Sequence, residues 1–200
     1  MHTLFATSIY GPRGRTTEAL AGKKVLDLGC GAAKLPGAVG VDSLPLPGVD
    51  VVHDLDARPW PFPDNHFDIV YANHYLEHTG DVLATLGEVH RVLKQGGHAV
   101  LQVPYFRSTD AVTDPTHKHF FAAATLDYVC AGTGLAAYSY VPYRFKKAGF
   151  WYGWPGGSRN PFARAFKRFI TRHSGFYDQY LSLLLPVKCL TWELEAIHPS

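Results

Sequence analysis

Five short apolar runs punctuate the first half of the chain, and a turn-forming or polar residue closes each. Residues 24–29 (KVLDLG) run into a glycine turn, residues 38–42 (AVGVD) and 50–54 (DVVHD) end in acids, residues 67–72 (FDIVYA) end at Asn73, and residues 98–103 (HAVLQV) end at Pro104. Runs of this length bounded by turn residues predict buried strands. Between the fourth and fifth, Val82, Leu86, Val89 and Leu93 recur at helical spacing, so residues 81–95 predict an amphipathic helix that Asp81 caps and Gly96-Gly97 stops. Short strands alternating with helices and turns predict an α/β chain, a three-layer sandwich whose central sheet is mostly parallel. Such sheets bind ligands at the carboxyl ends of their strands. The glycine turn, Asp42, Asp54 and Asn73 all fall there.

After Pro104 the pattern changes. Residues 105–121 read as a polar and aromatic loop, residues 122–131 as a short helix, and residues 142–157 as a segment of Pro, Gly and large aromatics. Residues 161–173 predict a second helix, capped by Asn160 with Pro161 in its first turn. Its stripe of Phe162, Phe166, Phe169 and Ile170 is expected to face the core, opposite Arg164, Lys167, Arg168 and Arg172. A helix over 176–185, ended by Pro186, and a strand over 187–197 complete the reading. One domain over residues 1–200 is expected: a ligand-binding half (22–104), an inserted helical and aromatic cap (105–186) and a returning strand (187–197).

Composition sharpens this picture. The chain has 200 residues, 46% apolar and 18% charged, which suits one buried core and excludes a disordered chain. Its net charge of +2 conceals an asymmetry: residues 1–127 carry 10 Lys/Arg against 14 Asp/Glu, whereas residues 128–177 carry 8 Lys/Arg, no acid, and 14 of the 27 aromatics. The three cysteines, at 30, 130 and 189, form neither a zinc pattern nor a disulfide framework. The first residues (MHTLFATSIYGPRG) lack the basic start and long apolar core of a signal peptide, so a reducing cytoplasm is expected.

The turn VLDLGCGAAK holds Gly-x-Gly directly after a strand. A dinucleotide site would want a third glycine where Lys34 stands, and Asp27 would repel a pyrophosphate but suit a cationic ligand. VLDLGCG at 25–31 resembles the first motif of the class I S-adenosylmethionine-dependent methyltransferases. The resemblance continues through Asp42, HDLDA at 53–57, FPDNHFDIVYANHYLEH at 62–78 and EVHRVLKQGGHAVLQVP at 88–104, in the family's order. It implies a Rossmann-like fold, methyl transfer, and S-adenosylmethionine as cofactor. Residue by residue, it implies that Asp27, Gly29, Cys30 and Gly31 lie along the methionine and ribose and that Asp42, with Ser43 beside it, takes the ribose hydroxyls. It also implies that Asp54 and Leu55 meet the adenine edge and that Asn73 faces the methionine amine or the methyl group. Two departures stand out. Only 13 residues separate Gly29 from Asp42, which resembles a short-loop subgroup with little or no first crossover helix, and Gln95 replaces a proline usual before the Gly pair.

A sulfonium methyl group is already activated, so the protein mainly has to align a nucleophile behind it. For a hydroxyl acceptor a base should take the proton, and histidine suits neutral pH. His74 after the fourth strand, and His117 and His119 in the loop after the fifth, are the candidates. Glu77-His78 reads as a helix-start or packing pair. Asp114-x-x-His117-x-His119 has metal-ligand chemistry, but all three residues come from one loop and the reaction needs no metal, so none is expected. The acceptor is expected to be a small molecule, sugar or lipid methylated at oxygen, and the basic block leaves an anionic acceptor or a membrane surface open, with nucleic acid disfavoured. The competing reading is a non-catalytic S-adenosylmethionine-binding regulator of the same fold; an NAD-binding oxidoreductase is a third.

Overall fold

Val25–Leu28 is buried at every position, as a strand with neighbours on both edges and layers on both faces must be. The computed structural model describes residues 5–11, 14–15, 20–155 and 160–198. A short helix, α1 (Phe5–Ile9), leads into an antiparallel pair, β1 (Tyr10–Gly11) and β2 (Gly14–Arg15). The main sheet comprises β3 (Val25–Leu28), β4 (Val39–Asp42), β5 (Val51–Val52), β6 (Phe67–Asn73), β7 (Leu93–Pro104), β8 (Arg144–Tyr152) and β9 (Cys189–Ile197). Its order is β5-β4-β3-β6-β7-β9-β8, parallel throughout except for β9, which runs against both neighbours. This is the Rossmann-like sandwich expected. The order reverses beside β3, so the crevice for a ligand opens at the ends of β3, β4 and β6.

Side-chain alternation along the strands makes two cores. Leu26, Leu28, Val70, Ala72, Ala99 and Leu101 pack on one face with Leu86, Val89 and Val92 of α2 (Val82–Val92). Val25, Ile69, Tyr71 and Val100 pack on the other with Ile9, Leu20, Leu35 and Ala38. The Asp81 carboxylate accepts the Ala84 N–H at 3.0 Å and caps α2 as expected. Between β3 and β4 the chain makes only turns, which accounts for the short spacing from Gly29 to Asp42.

The cap departs most from the sequence reading. Residues 144–152 form β8, a full strand at the sheet edge, where only an irregular aromatic segment was expected. Lysines and a register shift between Lys147 and Gly149 break the alternation that would have signalled it. Residues 156–157 of that segment lie outside the described residues. The segment expected as a loop over 105–121 contains a short helix, α3 (Thr109–Thr113), and the helix expected over 122–131 is a 3-10 turn at Thr125–Val129. The one expected over 176–185 shrinks to α5 (Ser174–Phe176) and a wide turn at Tyr177–Leu181. Between α2 and β7, Gly96 adopts φ +71 within a strand that begins at Leu93, so the glycine pair lies inside β7 and does not terminate the helix.

The helix expected over 161–173 forms as α4 (Pro161–Arg172), but only part of its apolar stripe meets the core, where half-buried Phe166 packs. Ile170 is buried, whereas Phe162 is 83% exposed and Phe169 47% exposed. What anchors the cap is Asp178. Its carboxylate accepts the hydroxyls of Tyr105 and Tyr152 and the Ala123 N–H, joining three separate segments. Burial, then the adjacent Asp178 charge, pushes the Tyr152 phenol far up, so it stays a neutral donor. Among the described residues no helix is long and apolar enough to cross a membrane.

Candidate active site

The turn after β3 is built by glycines that the backbone requires. Gly29 sits at φ +59, and a Cβ there would lie 2.8 Å from the Tyr75 ring; Gly31 sits at φ +52 with open space around it. Buried Asp27 accepts the Leu35 N–H at 2.7 Å, pinning the far side of the turn. Asp42, at the end of β4, accepts Gly31 N–H on Oδ2 at 2.9 Å and Leu44 N–H on Oδ1 at 3.0 Å. Each oxygen keeps a lone pair for a further donor. Asp54 accepts the Asp56 N–H at 2.9 Å, and Asp56 in turn accepts the Gly80 N–H and the Thr79 hydroxyl. Burial works to raise the Asp56 carboxyl, but those donors hold it below its ordinary value, so it stays an anionic latch between two loops.

These loops enclose a cleft of about 630 Å³, lined by Gly29, Asp42, Asp54, Leu55, His74 and Tyr75, with Ser43 also on its wall. A second cavity of about 650 Å³ lies beside it, lined by His74, Glu77, His78, Asp110, Asp114 and His117. His74 and His78 belong to both. His74 follows β6 directly with φ +56, a left-handed conformation costly for a residue with a side chain and characteristic of functional sites. Its Nδ1 pairs with Glu77 Oε1 at 3.1 Å. A third, mostly apolar pocket of about 410 Å³ holds His119 with Leu86, Phe121, Tyr128 and Tyr140.

The sequence matches the methyltransferase domain family over residues 12–140. The chain belongs to this methyltransferase family. It is 30% identical over 126 residues to the uncharacterized methyltransferase YcgJ of Bacillus subtilis (strain 168), covering 52% of this chain and 49% of that protein. It is 36% identical over 103 residues to a demethylmenaquinone methyltransferase of Staphylococcus saprophyticus, covering 40% of this chain and 44% of that one. The chain thus spans about half the length of these relatives. Among solved structures, a SAM dependent methyltransferase from Archaeoglobus fulgidus superposes with a TM-score of 0.53 at 17% identity over 96% of this chain and 97% of that one. The YcgJ structure gives 0.52 at 18% identity over 89% and 93%. At such identities the likeness is one of fold.

The methyltransferase family implies S-adenosylmethionine as cofactor, and the residues present fit it. Carboxylates with spare lone pairs stand at adjacent strand ends for ribose and amine donors, the glycine turn leaves open space, and the cleft has the size of a typical small-molecule site. Of the residues expected to bind it, Gly29, Asp42, Ser43, Asp54 and Leu55 line the methyltransferase cleft. Gly31 donates to Asp42 of the cleft wall, Asp27 pins the far side of the turn, Cys30 sits within the turn with its sulfur toward Gly40, and Asn73 is the last residue of β6. The Cys30 thiol is pushed up to about 11, by burial first and by Asp27 and Asp42 after it, so it remains protonated and unreactive.

The three histidine candidates separate. His74 and His117 line the cavity beside the cleft, while His119 turns away and donates from Nε2 to the Thr79 carbonyl at 2.8 Å. Sequence reasoning missed Tyr75, Asp56 and Glu77 as wall residues. Glu77 is fully buried yet reaches the second cavity, which a helix-start role does not require. The signal available was Glu77-His78 itself, an ionisable pair that begins four residues beyond the end of β6.

Proposed function

We propose that this methyltransferase moves the methyl group of S-adenosylmethionine to a hydroxyl of a small-molecule acceptor, with residues 22–104 holding the cofactor and residues 105–186 covering the acceptor. The cofactor supplies an electrophilic methyl group when bound. The chain's own residues orient the two partners, and His74 takes the acceptor's proton. The observation that carries this reading is that His74, alone among the three histidine candidates, lines both cavities. Its Nδ1–H donates to Glu77, which fixes the ring and leaves Nε2 as a proton acceptor. The demethylmenaquinone relatives support a small-molecule acceptor class. Release of the demethylated cofactor product, measured over a panel of phenols, sugars and quinols, tests the reading. His74→Gln is expected to lower kcat about 100-fold or more while the cofactor Kd changes little. Full turnover in that variant removes the base, and cofactor binding without turnover on any acceptor favours the regulator.

The exposed side of α4 supports the reading of a further partner. Phe162 and Phe169 stand in solvent beside Arg164, Arg168 and Arg172, and Leu183, Leu184 and Leu185 are also exposed in the same cap. Bulky apolar side chains set among cations fit the surface of an anionic membrane.

A further inference from the structure

Where the second cavity adjoins the cofactor cleft, a cluster among the described residues combines metal-ligand chemistry with an unmet electrostatic need. Glu77, His78 and His117 each offer a ligand atom, and these atoms lie within 4.8 Å of one another. All three side chains line the same cavity. The Glu77 carboxylate is fully buried; Oε1 meets His74, but Oε2 has no hydrogen-bond partner among the described residues. A buried carboxylate oxygen left so costs free energy unless a cation or donor meets it.

Both imidazoles are already arranged as ligands. The His117 Nδ1–H donates to the Ala111 carbonyl at 2.9 Å, which leaves Nε2 with the lone pair. The Thr116 hydroxyl donates to Asp114 Oδ1 at 2.7 Å, so its oxygen accepts from His78 Nδ1 at 2.9 Å, and His78 too keeps its lone pair on Nε2. A carbonyl behind one ring and a hydroxyl–carboxylate chain behind the other are the outer contacts that metal-ligating histidines make. The rings meet edge to face with centroids 4.7 Å apart, where the loop after β6 and the loop after β7 are already joined by hydrogen bonds from Lys118 and His119.

We propose that Glu77, His78 and His117 bind a divalent first-row transition-metal cation of the zinc class, with its remaining coordination positions open to the cavity beside the cofactor cleft. Two imidazoles and one carboxylate favour such a cation over calcium or magnesium, which prefer all-oxygen sites. Ligand atoms around a tetrahedral zinc lie about 3.4 Å apart, a closure that side-chain rotation provides as the ion enters. That an acceptor oxygen would fill an open position rests on the proposed function; metal binding itself does not.

The test uses the full tag-free chain, stripped with a chelator and titrated with Zn²⁺ by calorimetry and with Co²⁺ by visible absorption. One ion per chain is expected, with the d–d bands of low-coordinate cobalt. Glu77→Gln and His117→Ala should each weaken Zn²⁺ binding at least tenfold, and His66→Ala, outside the cluster, should not. His117 lies in a partly exposed loop, so His117→Ala stays informative even if Glu77→Gln fails to fold. Absence of stoichiometric Zn²⁺ binding, or wild-type affinity in a folded His117→Ala, overturns the proposal. Neither outcome depends on methyl transfer, so failure here is separate from failure of the proposed function.

Discussion

Asp42 is tied into the fold and still keeps a lone pair on each oxygen for a ligand. Its two oxygens already accept backbone N–H groups from Gly31 and Leu44, so it ties the glycine turn to the loop after β4 before any ligand arrives. Asp42→Asn keeps the shape and one acceptor oxygen but loses the charge and turns the other position into a donor. Calorimetry should show cofactor affinity reduced at least tenfold, because ribose hydroxyls gain about 1.5–3 kcal/mol from a charged acceptor. The thermal midpoint should fall only a few degrees. Unchanged affinity would remove Asp42 from the binding set. The strand-end acids were legible in the sequence because each ends an apolar run, and position along a parallel strand dictates which end meets the ligand. Glu77, His78 and His117 were not, since almost 40 residues separate the pair from His117 and only the folding of the loop after β7 brings them together.

At the scale of elements, α2 is locked to the loop ahead of β6 by Arg91. Its guanidinium forks onto both Glu88 oxygens at 2.8 and 2.6 Å and also reaches Asp64 and the carbonyls of Phe62 and Trp60. Burial pushes the Glu88 carboxyl up, but Arg91 and the Trp60 N–H outweigh it and hold the group below its ordinary value of 4.5. A carboxyl depressed in the folded state stabilises the fold fully above the unfolded value. That contribution is lost as pH falls through the folded value. Thermal midpoints should therefore drop as pH falls below the ordinary value of 4.5, and Glu88→Gln should flatten that dependence. Arg91→Ala should cost about 2 kcal/mol in denaturant titrations, below the range for a fully buried pair because a quarter of Arg91 remains in water. The strands of the cofactor half were readable because uninterrupted apolar runs have few other folded fates. β8 was not: its lysines pair with Glu195 and Asp127 across the sheet edge, and that pairing is a tertiary fact.

For the whole molecule, the charge asymmetry becomes a division of space. Asp42, Asp54 and Asp56 of the acidic first half line the cleft, and the basic block of the cap presents α4 outward with Phe162 and Phe169 uncovered. Co-sedimentation with vesicles checks the membrane reading. Binding to anionic vesicles but not zwitterionic ones is expected, with loss on the paired change Phe162→Ser and Arg168→Glu and weakening as salt rises. Equal behaviour toward both vesicle types would leave α4 as a solvated face. The sheet itself carries a further consequence. Its two edges are β5, only two residues long, and β8, which bears Lys146 and Lys147. A very short strand offers almost no template to a second chain, and β8 is irregular between Lys147 and Gly149 and bridged at Phe145 by Cys130, both of which interrupt the edge a second chain would pair with. A sheet of seven strands is thus protected at both borders against edge-to-edge aggregation while its strand ends stay open for chemistry.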